Sequence, residues 1–123
     1  MTADKTDNER WILVVEDDPD IRETLQLVLE GWDYVVRIAA DGREALEAMH
    51  QGKPSMVLTD LHMPVMSGTE LLLDMRRDPR LSDIPVLVVT AWKADAEAIG
   101  AQDLVTKPVN VDRLLASVRK YCD

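Results

Sequence analysis

The sequence predicts an α/β domain in which a five-stranded parallel sheet carries helices on both faces. Two observations support this prediction: short apolar runs alternate along the chain with segments of helical periodicity, and most of the runs are apolar at nearly every position. Strands that are buried on both faces need such continuous apolar composition, and helices connect parallel strands. The 123 residues fit one domain of this kind.

Each predicted strand is a short run rich in β-branched residues. Trp11–Val15 is apolar throughout and is too short for a helix, so it suits a central strand. The other strands are predicted at Tyr34–Ala39, Ser55–Thr59, Pro85–Thr90 and Leu104–Thr106.

The helices are predicted from their apolar stripes and end signals. The first helix follows Asp18, a favoured N-cap residue, and has Pro19 at its first position. Its stripe consists of Ile21, Leu25, Val28, Leu29 and Trp32. Further helices are predicted at 42–51, 67–78, 94–99 and 110–121, the last with a stripe of Val111, Leu114, Leu115, Val118 and Cys122. The fourth of these five helices must be short or irregular.

Composition excludes several classes of protein. The net charge is −9, from 14 basic and 23 acidic residues, and this argues against direct nucleic-acid binding, which needs a basic face. No apolar run approaches the roughly 20 residues of a membrane span, so membrane insertion is not expected. Cys122 is the single cysteine and indicates a reducing, cytoplasmic setting. Residues 1–10 are predicted to be a flexible lead to a domain at 11–123, either a stand-alone protein or an N-terminal piece.

Reactive side chains follow the predicted strands. Glu16 and Asp17 follow the first strand, Asp60 follows the third, Thr90 ends the fourth and Lys107 follows the fifth. The carboxyl ends of parallel strands meet at one edge, where ligands of such sheets bind. Two carboxylates about 4 Å apart repel by about 4 kcal/mol at an effective dielectric constant near 20. We therefore expect Asp17 and Asp60 to bind a hard cation such as Mg²⁺.

The segments VVEDDPDIR, LTDLHMPVMSG, VVTA and KP, in this order, resemble the response-regulator receiver domain of two-component signalling. The resemblance covers about 10–123. It implies a flavodoxin-like (βα)5 doubly wound fold with strand order 2-1-3-4-5, dependence on Mg²⁺, and phosphorylation of one aspartate.

The resemblance assigns roles to individual residues. It implies that Asp60 accepts the phosphoryl group, that Asp17 is a direct metal ligand, and that Glu16 acts through a metal-bound water. The backbone carbonyl of His62 would be a further ligand. It also implies that Lys107 pairs with a phosphoryl oxygen, with a cis peptide bond to the following proline, and that the hydroxyl of Thr90 donates to another phosphoryl oxygen.

The implied function is a Mg²⁺-dependent phosphorelay step. A histidine kinase or histidine phosphotransfer protein would phosphorylate Asp60, and a protein-interaction surface would then switch towards a downstream target or a second copy of the chain. The domain would catalyse its own phosphorylation and dephosphorylation without being an enzyme for a separate substrate. The alternative is an interaction module that works without phosphorylation. A small-molecule phosphatase is disfavoured, because His62 replaces the second aspartate of an Asp-x-Asp motif.

Two departures from the family pattern affect the predicted output. Leu104 stands where an aromatic residue often precedes the lysine, and the segment between Thr90 and Lys107 is short. We therefore predict that signalling uses either another surface or a reshaped version of the usual output surface, with Trp92 changing its environment on phosphorylation.

Overall fold

The computed structural model describes residues 10–91 and 101–122. The predicted helix at 94–99 and Trp92 lie outside the described residues. The strands are β1 (Trp11–Val15), β2 (Val35–Ala39), β3 (Met56–Thr59), β4 (Val86–Thr90) and β5 (Asp103–Thr106). The helices are α1 (Pro19–Gly31), α2 (Gly42–Gln51), α3 (Gly68–Arg77) and α4 (Val111–Cys122).

The sheet confirms the predicted topology. Its five strands are all parallel and lie in the order β2-β1-β3-β4-β5. The register aligns Val15 with Thr59 and Thr90 with Thr106. The carboxyl ends of β1, β3, β4 and β5 therefore meet at one edge of the sheet.

The core lies on both faces of the sheet, as a doubly wound fold requires. Every residue of β1, β3 and β4 is buried. One face packs against α2 and α3 through Ala45, Met49, Leu71, Leu72 and Met75. The other face packs against α1 and α4 through Leu25, Leu29, Leu114, Leu115 and Val118.

Side-chain caps begin all four described helices. The carboxylate of Asp18 accepts hydrogen bonds from two backbone N–H groups in the first turn of α1, as predicted. Asp41 caps α2 and Asn110 caps α4 in the same way. Ser67 forms a reciprocal capping box with Glu70. Each cap contributes about 1 kcal/mol and fixes where the preceding loop ends.

Two residues of the predicted stripes are exposed to solvent. Trp32 is 52% exposed because it is the C-cap of α1, where the backbone has already left the helix; the guanidinium of Arg119 lies over its ring, 5.4 Å from the centroid. Val111 is 43% exposed because it begins α4 at the rim of a groove between α1 and α4.

A membrane span needs a long apolar helix, so the helices of the structure can be compared with that requirement. In the part of the chain that the structure describes, no helix combines the length and the apolar composition needed to span a membrane.

A hydrogen-bonded network joins β5 to α4. The carboxylate of Asp103 accepts hydrogen bonds from the hydroxyl of Ser117 at 2.6 Å and from the guanidinium of Arg113 at 3.0 Å. Burial acts to raise the pKa of Asp103, but these bonds and one from the N–H of Leu104 outweigh burial. The pKa of Asp103 therefore lies below its ordinary value.

Replacing Asp103 should destabilise the fold in a pH-dependent way. We expect Asp103→Asn to lower the free energy of unfolding by about 1–2 kcal/mol at pH 7, because charge-assisted hydrogen bonds are lost. A carboxyl group whose pKa is depressed by folding stabilises the fold above its unfolded pKa of about 4, and this contribution is lost as the pH falls through the folded pKa. The difference from wild type, measured by urea unfolding across pH, should therefore shrink below about pH 4.

The control is Asp83→Asn. Asp83 pairs with Lys53 at 2.8 Å on the exposed surface, where ion pairs contribute little. Its unfolding curves should stay close to wild type throughout the pH range. A pH-independent difference for Asp103→Asn would contradict the role of its charge.

Candidate functional site

Parallel pairing brings three acidic residues together at the carboxyl edge of the sheet. The N–H of Asp60 donates to the carbonyl of Val15 at 3.2 Å, so β3 ends beside the end of β1. Glu16, Asp17 and Asp60 each offer a carboxylate oxygen, and these oxygens all lie within 4.8 Å of one another. The structure thus brings Asp60 to a pair of acids more than 40 positions earlier in the sequence.

Lys107 joins two of these acids. Its ammonium lies 2.9 Å from Oε1 of Glu16 and 2.8 Å from Oδ2 of Asp60. Glu16 is 2% exposed and Asp60 is 8% exposed, whereas Asp17 faces solvent. The Lys107-Pro108 peptide bond is cis, as the resemblance implies. One cation from β5 therefore compensates two buried carboxylates from β1 and β3.

Burial and ion pairing oppose each other in this cluster. Burial raises the pKa of Glu16, the bonds to the Lys107 ammonium and the Asp18 N–H act in the other direction, and the pKa of Glu16 stays above its ordinary value. Burial acts to lower the pKa of Lys107, but hydrogen bonds to Asp60 and Glu16 outweigh it and raise that pKa. The ammonium therefore remains charged at neutral pH.

The two oxygens of Asp60 have different surroundings. Oδ1 accepts a hydrogen bond from the N–H of Leu61 at 2.6 Å and a longer one from the N–H of His62 at 3.5 Å. Oδ2 faces Lys107. The side chain of His62 is exposed, and the role of its backbone carbonyl as a metal ligand stays a prediction.

Thr90 lies at the same edge, on the strand between β3 and β5. It is fully buried at the end of β4, and its carbonyl accepts a hydrogen bond from the N–H of Lys107 at 3.0 Å. The predicted hydroxyl and ammonium therefore sit on adjoining strand ends.

The loop after Asp60 is held tightly. The N–H of Met66 donates to the carbonyl of Pro64 at 2.8 Å, and Val65 between them has φ of 69°, which gives a three-residue turn that is strained for a β-branched residue. Gly68 donates to the carbonyl of Leu61 at 3.0 Å. Nothing in the sequence signalled the strained valine.

Comparison with known proteins identifies the family. A family model described as the response regulator receiver domain matches residues 12–119. The chain belongs to this family. Receiver domains are phosphoacceptor signalling domains, not enzymes in the usual sense, and they take phosphoryl groups from histidine kinases.

Curated relatives include longer proteins. The uncharacterized transcriptional regulatory protein YkoG of Bacillus subtilis is 42% identical over 113 residues, which cover 88% of this chain and 49% of YkoG. An uncharacterized 14.6 kDa protein of Leptolyngbya boryana is 36% identical over 116 residues, which cover 90% of this chain and 88% of that protein. This receiver domain thus spans about half of the regulator and most of the smaller relative. Because a transcriptional regulator is among the relatives, the absence of direct nucleic-acid contact stays a prediction.

One solved relative of this receiver domain contains Mg²⁺. The response regulator TrrA of Thermotoga maritima, in complex with Mg²⁺ and BeF, shares 34% identity with this receiver domain, with a TM-score of 0.81 over 92% of this chain and 98% of that chain. In the present receiver domain the carboxylates of Glu16, Asp17 and Asp60 outnumber the Lys107 ammonium, and their donors are all oxygen. A cluster that keeps negative charge and offers oxygen ligands fits Mg²⁺.

Gly68 tests how closely the loop packs against the acceptor. A Cβ at Gly68 would lie 1.9 Å from the carbonyl oxygen of Asp60, so the receiver domain cannot accept one without moving that backbone. We expect Gly68→Ala to lower the free energy of unfolding by about 1–3 kcal/mol, the range for overpacking, and to shift the amide NMR signals of Asp60 and Leu61.

Gly31→Ala is the matched control. A Cβ at Gly31 meets nothing within 4 Å, and alanine is the better helix former. This variant should be as stable as wild type or slightly more so. Equal stability of the two variants would show that the contact between Gly68 and Asp60 is looser than described.

Proposed function

We propose that this receiver domain accepts a phosphoryl group on Asp60 in a Mg²⁺-dependent phosphorelay. The observation that carries the proposal is the environment of that carboxylate: Lys107 lies 2.8 Å from Oδ2, and oxygens of Glu16 and Asp17 lie within 4.8 Å. An acid placed between a fixed cation and a cation-binding pair can approach an anionic phosphoryl donor, which isolated carboxylates would repel.

The residues at the edge fit the family's ligand set. Asp17, Asp60 and the carbonyl of His62 would hold Mg²⁺ directly, and Glu16 would act through a metal-bound water. When bound, Mg²⁺ neutralises the charge that develops on the transferring group.

The chain's own groups suit phosphoryl transfer. Oδ1 of Asp60 accepts from the backbone of Leu61, whereas Oδ2 accepts from the Lys107 side chain, which can turn to a phosphoryl oxygen; we therefore assign the attack on phosphorus to Oδ2. A P–O bond forms at Oδ2 while the bond between phosphorus and the donor nitrogen breaks, and the electron pair returns to the imidazole. Lys107 then donates to one phosphoryl oxygen and the Thr90 hydroxyl to another, and these contacts favour the active member of a pair of conformations.

A groove beside the acceptor supports a protein as the donor. The cavity between α1 and α4 has a volume of about 340 Å³ and is lined mainly by apolar side chains, including Ile21, Leu25, Val109 and Leu114. Lys107, which also lines the groove, is the residue whose ammonium contacts Asp60. Its apolar lining and its position beside Lys107 suit a helix that carries a donor histidine, as in a histidine kinase or a histidine phosphotransfer protein.

The proposal extends to the setting of the domain. We assign residues 11–123 to the receiver domain and 1–10 to a lead, and we place the domain in the cytoplasm with a downstream protein target. Autocatalytic phosphorylation and dephosphorylation, and dimerisation on phosphorylation, belong to the same proposal.

Asp60→Asn should abolish phosphorylation. We expect wild type incubated with acetyl phosphate and Mg²⁺ to gain one phosphoryl group by intact mass, and Asp60→Asn to gain none, because an amide is not a nucleophile for phosphorus. Equal incorporation in both proteins would show that the acceptor is a residue other than Asp60. No incorporation in wild type with several small donors would favour the phosphorylation-independent interaction module.

Lys107→Met should make the fold depend more on Mg²⁺. Removing the ammonium leaves Glu16 and Asp60 buried without their cation, and we expect a loss of about 2 kcal/mol, below the range for fully buried pairs because Lys107 is partly exposed. Urea unfolding should show a larger stabilisation by Mg²⁺ in Lys107→Met than in wild type. Lys53→Met, which removes an exposed ion pair, should show the wild-type response. The prediction assumes that Lys107 and Mg²⁺ compete for the same carboxylates. Equal stabilisation of Lys107→Met and wild type by Mg²⁺ would contradict that competition.

A further inference from the structure

Asp17 is the acid of the cluster that lacks its own support. Within residues 10–91 and 101–122, no hydrogen bond or ion pair holds its carboxylate, which is exposed. Glu16 and Asp60, by contrast, are buried and paired with Lys107. The position of the Asp17 carboxylate must therefore come from the backbone that carries it.

Both peptide units that flank Asp17 are fixed by side chains. On the N-terminal side, the guanidinium of Arg22 donates to the carbonyl of Glu16 at 3.0 Å. On the C-terminal side, the N–H of Asp18 donates to Oε2 of Glu16 at 3.1 Å. The Glu16 carbonyl lies just beyond the last residue of β1, where ladder bonding ends, so Arg22 supplies its partner.

Arg22 is well placed to hold this peptide. It lies in the first turns of α1, where its own N–H donates to the carbonyl of Asp18 at 2.9 Å, and its side chain is half-buried. A charged donor to a carbonyl forms one of the stronger hydrogen bonds in proteins. No ion pair within the described ranges links Arg22 to the three carboxylates, so the cluster keeps its negative charge for a metal.

We propose that Arg22 is a positioning residue for Asp17: by holding the Glu16 carbonyl, it orients the Asp17 carboxylate towards Asp60 for cation binding. The inference rests on the proposed function, because it concerns the same metal site. Partners that orient metal ligands in this way typically change metal affinity by about 10- to 100-fold when they are removed.

The test compares Arg22→Met, which keeps the length of the side chain but removes its donors, with Arg22→Lys, which keeps a donor. In calorimetric titration with Mg²⁺, the dissociation constant of Arg22→Met should be about tenfold larger than that of wild type. Arg22→Lys should bind Mg²⁺ with most of the wild-type affinity. The rate of phosphorylation by acetyl phosphate should reach the wild-type value in Arg22→Met at saturating Mg²⁺, because the reacting groups are unchanged.

Arg43→Met is the control, because Arg43 is exposed on α2, and it should bind Mg²⁺ like wild type. Circular dichroism without Mg²⁺ checks folding, and Arg22→Leu, which also lacks a donor, replaces Arg22→Met if the latter unfolds. Wild-type Mg²⁺ affinity in Arg22→Met, or a rate that stays low at saturating Mg²⁺, would overturn the positioning role. Failure of wild type itself to bind Mg²⁺ would instead overturn the proposed function.

Discussion

The contact of the Lys107 ammonium with Glu16 and Asp60 is the interaction on which the carboxyl edge of this sheet depends. It joins side chains from the ends of β1, β3 and β5, which are separated by as many as 91 positions in the sequence. Because β4 lies between β3 and β5, the lysine side chain must extend over the end of β4, where Thr90 is buried. The strand order thus places Thr90 on the strand that lies between those preceding the acid and its cation.

The same contact leaves the edge responsive to charge. Burial of Glu16 and Lys107 disfavours both ions, and their pairing offsets that cost only while the ammonium stays between the carboxylates. A divalent cation or a phosphoryl group would change the best position for the ammonium. The backbone N–H of Lys107 donates a hydrogen bond to the carbonyl of Thr90, so a shift of the lysine backbone would displace the ends of β4 and β5. Under the proposed function, phosphorylation of Asp60 would therefore act on β4 and β5 through this bond.

The sequence predicts the parts of this structure that depend on local chemistry. Apolar runs placed the strands, the cap at Asp18 placed the start of α1, and the predicted starts at 67 and 110 lie one residue before those of α3 and α4. Parallel strands share one edge, so the clustering of Asp17 with Asp60 also followed from the pattern.

The features that were missed depend on contacts between distant segments. Helical periodicity placed Trp32 in the core, because a pattern of spacing does not reveal where the backbone leaves the helix. The hydrogen bond between Asp103 and Ser117 joins β5 to α4, and no sequence motif predicts that these two residues meet. Arg22 is inconspicuous in the sequence because its partner is a backbone carbonyl, and every residue has one.

Paramagnetic broadening by Mn²⁺, a substitute for Mg²⁺ that also prefers oxygen ligands, tests most directly whether these acids form one metal site. We predict that the amide signals of Asp17 and Leu61 in a nitrogen–proton correlation spectrum disappear at the lowest Mn²⁺ concentrations. The acids at the end of α3, Asp74 and Asp78, serve as the comparison, and their signals should persist. Early loss of the signals of Asp74 and Asp78, with those of Asp17 and Leu61 intact, would contradict the account.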